Sequence, residues 1–512
     1  MAPTRLIRGF VTVGGWTMAS RILGFARDIL FAAFLGAGPV AEAFVVAFSL
    51  PNMFRRFFAE GAFNMAFVPM FSKKVESGEG PLEFARDAMS GLATILIVLT
   101  VLAQVFMPWL VWAMASGFVG DARFDLAVDY GRVVFPYILF ISMAALLSGV
   151  LNATGRFAAA AAAPVLLNVV LTTAMLGAYY LGLDIGRTLV WAVPVAGVAQ
   201  MALVWWAAAR AGYRLIPRLP RMTPELKRLA IIAAPAALAG GVVQINLLVG
   251  RQVASFLEGS IQYLNLADRL YQLPLGVVAI AIGVVLLPDL SRKLQAGDTQ
   301  AGRDSMNRAG EFALLLTLPA AVALVTIPLP LISVLFERGR FTAEDAAATS
   351  VAVAIYGLGL PSFVMQKVLQ PLFFAREDTK SPFLYAVAAM IINAVIAIGL
   401  APFIGYLAAA VATTTAGWAM VLLLWLGTRK MGEAALLDQR FISRAKRIAL
   451  ASVGMGLVLM LAAYALDPIL FASGWRYFGL LALVATGGIA YFGLAHALGA
   501  YRLGDLKSAL RR

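Results

Sequence analysis

The stretch from Met18 to Pro69 decides the fold and reads MASRILGFARDILFAAFLGAGPVAEAFVVAFSLPNMFRRFFAEGAFNMAFVP. It is apolar enough to supply two membrane-spanning helices, yet four arginines fall inside those helices: Arg21, Arg27, Arg55 and Arg56. An arginine at the bilayer centre costs about 2.5–3.5 kcal/mol on insertion scales, so such residues face a polar cavity or a partner. The stretch therefore predicts a membrane-embedded chamber that binds an anion.

The composition indicates a polytopic membrane protein. Of the 512 residues 61% are hydrophobic and 13% are charged, and the mean hydropathy is +0.85; a soluble domain of this length needs more polar surface. Cysteine is absent and His496 is the single histidine, which argues against disulfides, thiolate metal sites and histidine catalysis. There is no Walker sequence. We expect no cofactor, no metal ion and no enzymatic activity.

Hydropathy predicts an all-α fold of fourteen transmembrane helices. Several of the segments are longer than the roughly 20 residues that a span needs, so tilt or extension beyond the membrane is expected. Prolines inside the spans predict kinks next to a cavity, at Pro51, Pro108, Pro136, Pro274 and Pro361. The predicted helices cover residues 8–36, 40–71, 88–115, 124–152, 158–183, 187–209, 226–256, 260–290, 308–336, 344–374, 381–401, 404–428, 444–466 and 475–499.

The distribution of basic residues predicts the orientation. With the N-terminus inside the cell, 28 of the 41 Lys and Arg residues lie in cytoplasmic segments, 6 in outer segments and 7 within spans. This bias follows the positive-inside rule for an even number of helices with both termini in the cytoplasm. The net charge of +14 is therefore a consequence of topology and does not indicate nucleic-acid binding.

An internal repeat divides the predicted helices into two lobes. VPMFSKK at 68–74 matches LPDLSRK at 287–293 with an offset of 219 residues, and RDAM at 86–89 matches RDSM at 303–306 with an offset of 217. Two weaker matches follow in the same order at nearly the same offset. An even number of helices per lobe predicts parallel repeats related by an axis along the membrane normal, as in alternating-access transporters.

The repeat sets the predicted domain limits. The segment 213–227 contains prolines and charges and is expected to be a solvated cytoplasmic linker between the lobes. The predicted units are an N-lobe of helices 1–6 at 1–212, the linker at 213–227, a C-lobe of helices 7–12 at 228–428, and helices 13–14 with a cytoplasmic tail at 429–512.

The intramembrane charges supply the candidate binding residues. Arg55 has no acidic residue three or four positions away, whereas Arg56 and Glu60 are spaced to neutralise each other on one helix. Arg21 and Asp28 are seven positions apart and share a helix face, and pairing of Arg269 with its neighbour Asp268 is geometrically poor. The preferred substrate-binding set is Arg21, Arg27, Arg55 and Arg269. The second rank of cavity candidates is Asp28, Glu42, Arg56, Glu60, Gly61, Asp268, Gln272 and Lys367.

Three of these stretches carry a family resemblance. SRILGFARD, LPNMFRRFFAEGAFNMAFVP and ADRLYQLPLGVVAIAIGVVLLP resemble the MurJ (MviN) family of lipid II flippases, and the resemblance extends over the whole chain. It implies the fold of the multidrug/oligosaccharidyl-lipid/polysaccharide exporter superfamily, with a cationic central cavity and a lipid groove at helices 13 and 14. The arginines that the family requires fall on Arg21, Arg27, Arg55 and Arg269.

The chain departs from the family pattern at three positions. Glu42 stands where well-known members have Asp, so the charge is kept. Ser49 stands where they have Lys, and Gln272 where they have an acid. The last two differences change the charge balance of the chamber, so a proton or ion role at those positions does not transfer to this chain.

The expected function is movement of lipid II from the cytoplasmic to the outer leaflet of the bacterial inner membrane. A coupling ion or the membrane potential, membrane lipids and cell-wall synthesis proteins remain open as further partners. One alternative is a flippase for another undecaprenyl-diphosphate-linked saccharide; a drug or cation exporter is disfavoured because it would need acidic chamber residues. A lipid-sugar transferase would need an outer carboxylate cluster, and Asp121, Asp125 and Asp129 are interpreted as helix-end charges instead.

Overall fold

The computed structural model describes residues 3–56, 62–472 and 474–501. Apart from one isolated bridge between Arg338 and Phe341, the regular elements of these residues are all helices, which confirms the predicted all-α class. The α-helices are α1 Pro3–Leu35, α2 Pro39–Arg55, α3 Ala62–Ser77, α4 Pro81–Met114, α5 Ala122–Val134, α6 Tyr137–Ala153, α7 Ala158–Leu181, α8 Ile185–Arg210, α9 Pro224–Ala254, α10 Ser260–Gln295, α11 Thr299–Thr326, α12 Pro328–Phe336, α13 Ala343–Phe374, α14 Lys380–Ile404, α15 Leu407–Thr428, α16 Gln439–Leu470 and α17 Arg476–Ala497.

Prolines interrupt several of the predicted spans. The fourth predicted span is two helices, α5 and α6, which meet at an angle of 40° beside Pro136. The ninth is α11 and α12, separated at Ile327, whose φ of −128° is not helical and which precedes Pro328. A break also occurs in α4 at Phe106, two residues before Pro108. Proline lacks the N–H and clashes with the preceding turn, so the breaks lie where the chain cannot close the regular hydrogen bond.

The predicted number of fourteen spans stays a prediction. Among the described residues, nine helices are long and apolar enough to cross a membrane, or ten if the bent pair of α5 and α6 is one span. The helices that carry the candidate arginines, α1, α2 and α10, are not in that set. Since α1 has 33 residues and α10 has 36, both are long enough to span the membrane.

The first packing unit comprises Met1–Gln262 together with Arg338–Phe341. Within it α1 packs on α7, α2 on α5, and α3 and α4 on α9. The turn after α4 is fastened to the end of α9, because Gln252 accepts hydrogen bonds from the backbone and hydroxyl of Ser116, each at 2.8 Å. Gly117 has no room for a side chain, since a Cβ there would lie 2.6 Å from the backbone nitrogen of Phe256.

The second unit comprises Tyr263–Glu337 and Thr342–Arg512. Its last two helices, α16 and α17, are part of an apolar core that they share with α11 and α12 and that includes Met455, Leu459 and Leu483. The Tyr491 hydroxyl donates to the carbonyl of Leu315 at 2.6 Å. Helices 13 and 14 of the prediction are therefore integrated into this unit by close side-chain packing and an interhelical hydrogen bond, the interactions that hold membrane helices together.

The repeat has a structural counterpart in contacts made by paired arginines. In the first unit, Arg86 of α4 donates to the carbonyl of Arg214 at 3.1 Å. In the second, Arg303 of α11 donates to the carbonyl of Leu436 at 3.1 Å. Arg86 and Arg303 are matched residues in the sequence repeat. Arg86 binds the backbone of the segment after α8, the last helix of the first repeat, and Arg303 binds the backbone of the segment after α15, the last helix of the second.

A second matched pair also binds these two segments, but here the side chain accepts a hydrogen bond from a backbone N–H instead of donating one to a carbonyl. The Ser90 hydroxyl accepts from the backbone N–H of Arg218 at 3.0 Å, and the Asn307 side-chain oxygen accepts from the backbone N–H of Asp438 at 3.1 Å. The segment after α8 is thus bound to α4, and the segment after α15 is bound to α11, by side chains at equivalent repeat positions. The segment 213–227, which was expected to be a simple solvated linker, is therefore fastened to α4.

Packing groups α9 differently from the repeat. The sequence repeat places this helix at the start of the C-lobe, whereas its contacts with α3 and α4 place it in the first packing unit. A sequence repeat shows which segments are similar in sequence, whereas a packing unit shows which helices are in contact. Because contacts between helices do not test a division based on sequence similarity, the predicted domain limits stay a prediction.

Candidate functional site

Arg27 is the best-defined of the candidate arginines. Its Nε and Nη2 donate to Asp28 Oδ1 at 3.1 and 2.7 Å, and its Nη1 donates to Asn168 Oδ1 of α7 at 2.9 Å. The Arg27 and Asp28 side chains are each 12% exposed. A guanidinium has five N–H donors, and the contacts with Asp28 and Asn168 occupy three of them. These contacts orient the cation.

Asn168 fixes this arrangement and was not among the sequence candidates. It is 6% exposed, and its amide nitrogen donates to the carbonyl of Ser20 at 2.9 Å. Gly24 lies beside Asn168, since a Cβ at Gly24 would be 3.4 Å from the amide nitrogen of Asn168, an ordinary van der Waals distance. An uncharged amide in an apolar span gives only a weak sequence signal, and its partners on α1 are 141 to 148 positions away.

The pairing of Arg27 with Asp28 shows that adjacent residues can pair, which limits the geometric argument applied above to Asp268 and Arg269. Adjacent residues on a helix diverge by about 100°, which makes such a pair appear unfavourable. The long Arg27 side chain nevertheless reaches the neighbouring carboxylate, and its Nη2 lies 2.7 Å from Asp28 Oδ1. Asp28 thus balances the charge of Arg27, which allows a guanidinium to remain partly buried at a lower desolvation cost.

The other candidates of the first unit occupy different environments. Arg21 on α1 and Arg55 at the end of α2 are partly exposed, and Arg56 is exposed. Glu60 and Gly61 lie outside the described residues. Ser49, which stands at the position of a family lysine, donates its hydroxyl to the carbonyl of Val45 at 2.5 Å within its own helix.

Glu42 does not line a cavity. Its side chain is 0% exposed and lies 2.9 Å from Arg123 Nη1 of α5, and its second oxygen accepts from the backbone N–H of Ile261 at 2.9 Å. Arg123 also packs over the ring of Phe118, 4.4 Å from its centroid. In the sequence Arg123 is only one of the six basic residues of the predicted outer segments. Glu42 is therefore removed from the cavity candidates and is assigned to a buried ion pair that joins α2, α5 and the first turn of α10.

Asp121 completes this ion-pair network as a helix cap. Its carboxylate accepts from the backbone N–H of Arg123 at 3.0 Å and lies 2.6 Å from the guanidinium of the same residue. These contacts, the backbone N–H first, hold the pKa of the Asp121 carboxyl below its usual range. Asp121 begins α5 in the manner expected of an N-cap residue, as the helix-end interpretation predicted.

The candidates of the second unit lie on α10 and α13. Asp268 accepts a hydrogen bond from Gln272 one turn later, while Arg269 and Lys367 have exposed side chains. Tyr271 is buried beside them, with its ring 5.2 Å from that of Tyr356. Gln272, neutral where the family has an acid, thus acts as a hydrogen-bond donor to the neighbouring carboxylate.

An apolar cavity of about 260 Å³ lies in the second unit between α11, α12, α16 and α17. Leu316, Met455, Val484 and Phe492 are among its lining residues, and it contains no charged side chain in its lining. It involves the two helices for which the family resemblance implies a lipid groove. Elsewhere in the described residues, no three His, Cys, Asp or Glu side chains lie close enough together to hold a metal ion.

A family model described as "Lipid II flippase MurJ" matches residues 31–486. This chain belongs to the MurJ family. A relative from Rhizobium tropici, named "Probable lipid II flippase MurJ", is 43% identical and aligns with 99% of this chain and 97% of its own length. A MurJ relative from Vibrio cholerae is 34% identical, with 99% and 98% covered.

Solved structures agree with this family assignment. A MurJ structure in an inward closed conformation has a TM-score of 0.79 at 25% identity, covering 95% of this chain and 98% of that one. An inward-facing multidrug resistance MATE transporter of the MOP superfamily has a TM-score of 0.69 at 14% identity, covering 83% and 98%. The MATE similarity concerns the fold alone. The chain is thus a polytopic helical membrane protein of the MurJ family.

Proposed function

We propose that this chain transfers lipid II from the cytoplasmic to the outer leaflet of the bacterial inner membrane by alternating access. The observation that carries the proposal is the 43% identity, over 99% of this chain, to a relative named as a probable lipid II flippase. Family kinship over the whole length is a stronger argument than fold similarity, because one membrane fold serves several substrates.

The arginines provide a physical route for the polar headgroup. Lipid II presents a diphosphate and a large polar saccharide-peptide, and exposing these groups to hydrocarbon would leave them unpaired. Arginine binds phosphate oxygens with two parallel N–H donors, and Arg27 keeps two donors beyond those used by Asp28 and Asn168. Arg21, Arg55 and Arg269 are proposed to bind the same diphosphate during transfer. No covalent step is required, so the function is transport without catalysis.

The apolar cavity of the second unit is proposed to hold part of the prenyl chain. Its lining by Leu316, Met455, Val484 and Phe492 matches the chemistry of an isoprenoid, whose burial against apolar side chains is favourable. The tail would remain in contact with lipid and with α16 and α17 while the headgroup passes through the protein. A coupling ion or the membrane potential is proposed to drive the cycle.

Transfer is tested with the purified chain in vesicles that contain lipid II with a fluorescent headgroup. We expect the protein to make lipid II of the inner leaflet accessible to an impermeant quencher, with and without an imposed potential. Vesicles with an undecaprenyl-diphosphate-linked sugar of different structure, or with a cationic dye, provide the comparison. Equal transfer of both prenyl lipids would reject lipid II specificity, and export of the dye alone would reject the proposal.

The proposed orientation has a direct test, because the chain has no native cysteine. Single cysteines at Val119 and Glu258, both exposed, should react with an impermeant thiol reagent in intact cells. Cysteines at the exposed Ser77 and Glu433 should react only after the cells are opened. The physical basis is the excess of basic residues in the segments proposed to be cytoplasmic. The reverse pattern would require the opposite orientation.

A further inference from the structure

The linker between α8 and α9 is fixed to the protein along one side. Residues 213–223 form neither helix nor strand. Arg218 pairs with Asp87 of α4 at 2.6 Å, and the Trp205 indole N–H donates to the carbonyl of Leu215 at 2.8 Å. Leu215 is 0% exposed. The linker therefore has a defined orientation, with the side that bears Leu215 and Arg218 turned toward the helices.

The other side of the linker carries an apolar stripe. Ile216, Leu219 and Met222 are 61%, 86% and 77% exposed. They are spaced by three residues and alternate with Pro217 and Pro220, and proline-rich extended chain has three residues per turn. Leu215 is buried and Arg218 pairs with Asp87 on the inner side, whereas these three side chains are exposed on the outer side. An exposed apolar row on a fastened segment indicates an interaction surface.

The charges and aromatic rings around the stripe indicate what it contacts. Arg214 and Arg221 are exposed on the same segment. Arg210, at the end of α8, lies 4.0 Å from the centroid of the exposed Trp206 ring, and tryptophan marks the water interface at the end of a membrane span. The linker continues directly from this end of α8 and leads into α9. A segment that is both cationic and apolar has the chemistry suited to contact with a bilayer surface.

We propose that Ile216, Leu219 and Met222 insert into the cytoplasmic leaflet and that Arg214 and Arg221 bind its anionic headgroups. The linker is then an interfacial anchor, which holds the adjoining ends of α4 and α9 at a fixed depth in the membrane. This inference rests on the orientation given under the proposed function. Basic residues near an anionic leaflet and apolar side chains at the headgroup boundary each favour such attachment.

The test places an environment-sensitive fluorophore on the full chain through Leu219→Cys, at a side chain that is 86% exposed. The matched control is Glu79→Cys, in the exposed turn between α3 and α4. In vesicles of phosphatidylcholine and phosphatidylglycerol, lipids with a nitroxide near the headgroup should quench the probe at 219 several-fold more than the probe at 79. With Arg214→Gln and Arg221→Gln present, the equilibrium constant for insertion of the probe should fall by about fivefold per arginine, and quenching at 219 should fall with it.

Equal quenching at 219 and 79, in vesicles with and without phosphatidylglycerol, would overturn the anchor and assign the stripe to a protein partner. Quenching at 219 that is unchanged by both arginine substitutions would overturn the electrostatic part. Lipid II transfer measured in the same vesicles separates the two proposals. Transfer with an aqueous probe at 219 rejects only the anchor, and a quenched probe without transfer rejects only the flippase activity.

Discussion

Replacing Arg27 with alanine is expected to abolish growth of a strain that depends on this chain as its lipid II flippase. The two N–H donors that Asp28 and Asn168 leave available would be lost, together with the positive charge. Hydrogen bonds to charged groups contribute about 1.5–3 kcal/mol each, so lipid II transfer in vesicles should fall by at least about 100-fold. Protein level in the membrane is measured alongside growth.

Two further variants test the geometry at Arg27. Arg27→Lys should restore transfer only partly, because an ammonium keeps the charge but not the paired donors. Asn168→Ala should give an intermediate defect, since it releases the Nη1 contact of 2.9 Å and leaves the pair with Asp28. Arg187→Ala, at an exposed arginine of α8, is the matched control. Normal growth of Arg27→Ala at normal protein level would contradict a diphosphate site at this residue.

Replacing Arg123 with alanine is expected to cause the largest loss of stability. Glu42 would be left as a buried carboxylate without its guanidinium partner, at a site where the two side chains are 0% and 5% exposed. Removing one partner of a buried ion pair costs about 3–5 kcal/mol, because the other charge stays desolvated. The thermal midpoint of the purified protein in detergent should therefore fall markedly, and expression should fall with it.

The ion-pair interpretation predicts recovery in a double variant. Arg123→Gln combined with Glu42→Gln removes both charges, so the double variant should be more stable than Arg123→Gln alone. Arg132→Ala, at an exposed arginine on the same helix, should leave the midpoint nearly unchanged. If Arg123→Ala and Arg132→Ala had equal small effects, Glu42 would have to be stabilised by other groups and the ion pair would contribute little.

Hydropathy along the chain was sufficient to predict the all-α membrane class and the approximate position of the helical segments, although the fourth and ninth predicted spans are each two helices. The reason is that a membrane span must be apolar over roughly 20 consecutive residues and must satisfy its own backbone hydrogen bonds, so its signal is local. The proline breaks at Pro108 and Pro136 were predictable for the same reason. The repeat was also visible in the sequence, because matched residues such as Arg86 and Arg303 keep equivalent contacts in the two units.

The environment of each charge depended on tertiary packing. Glu42 and Asp28 are both acids in apolar helices, yet Glu42 binds Arg123, 81 positions away, whereas Asp28 binds the residue next to it. Asn168 becomes a partner of Arg27 only because α7 brings it to α1. Burial and pairing depend on which helices pack together, and this packing is determined by contacts between residues far apart in the chain. Charge patterns therefore singled out the arginines as candidates, while the partners of Arg27 and Glu42 were set by the packed fold.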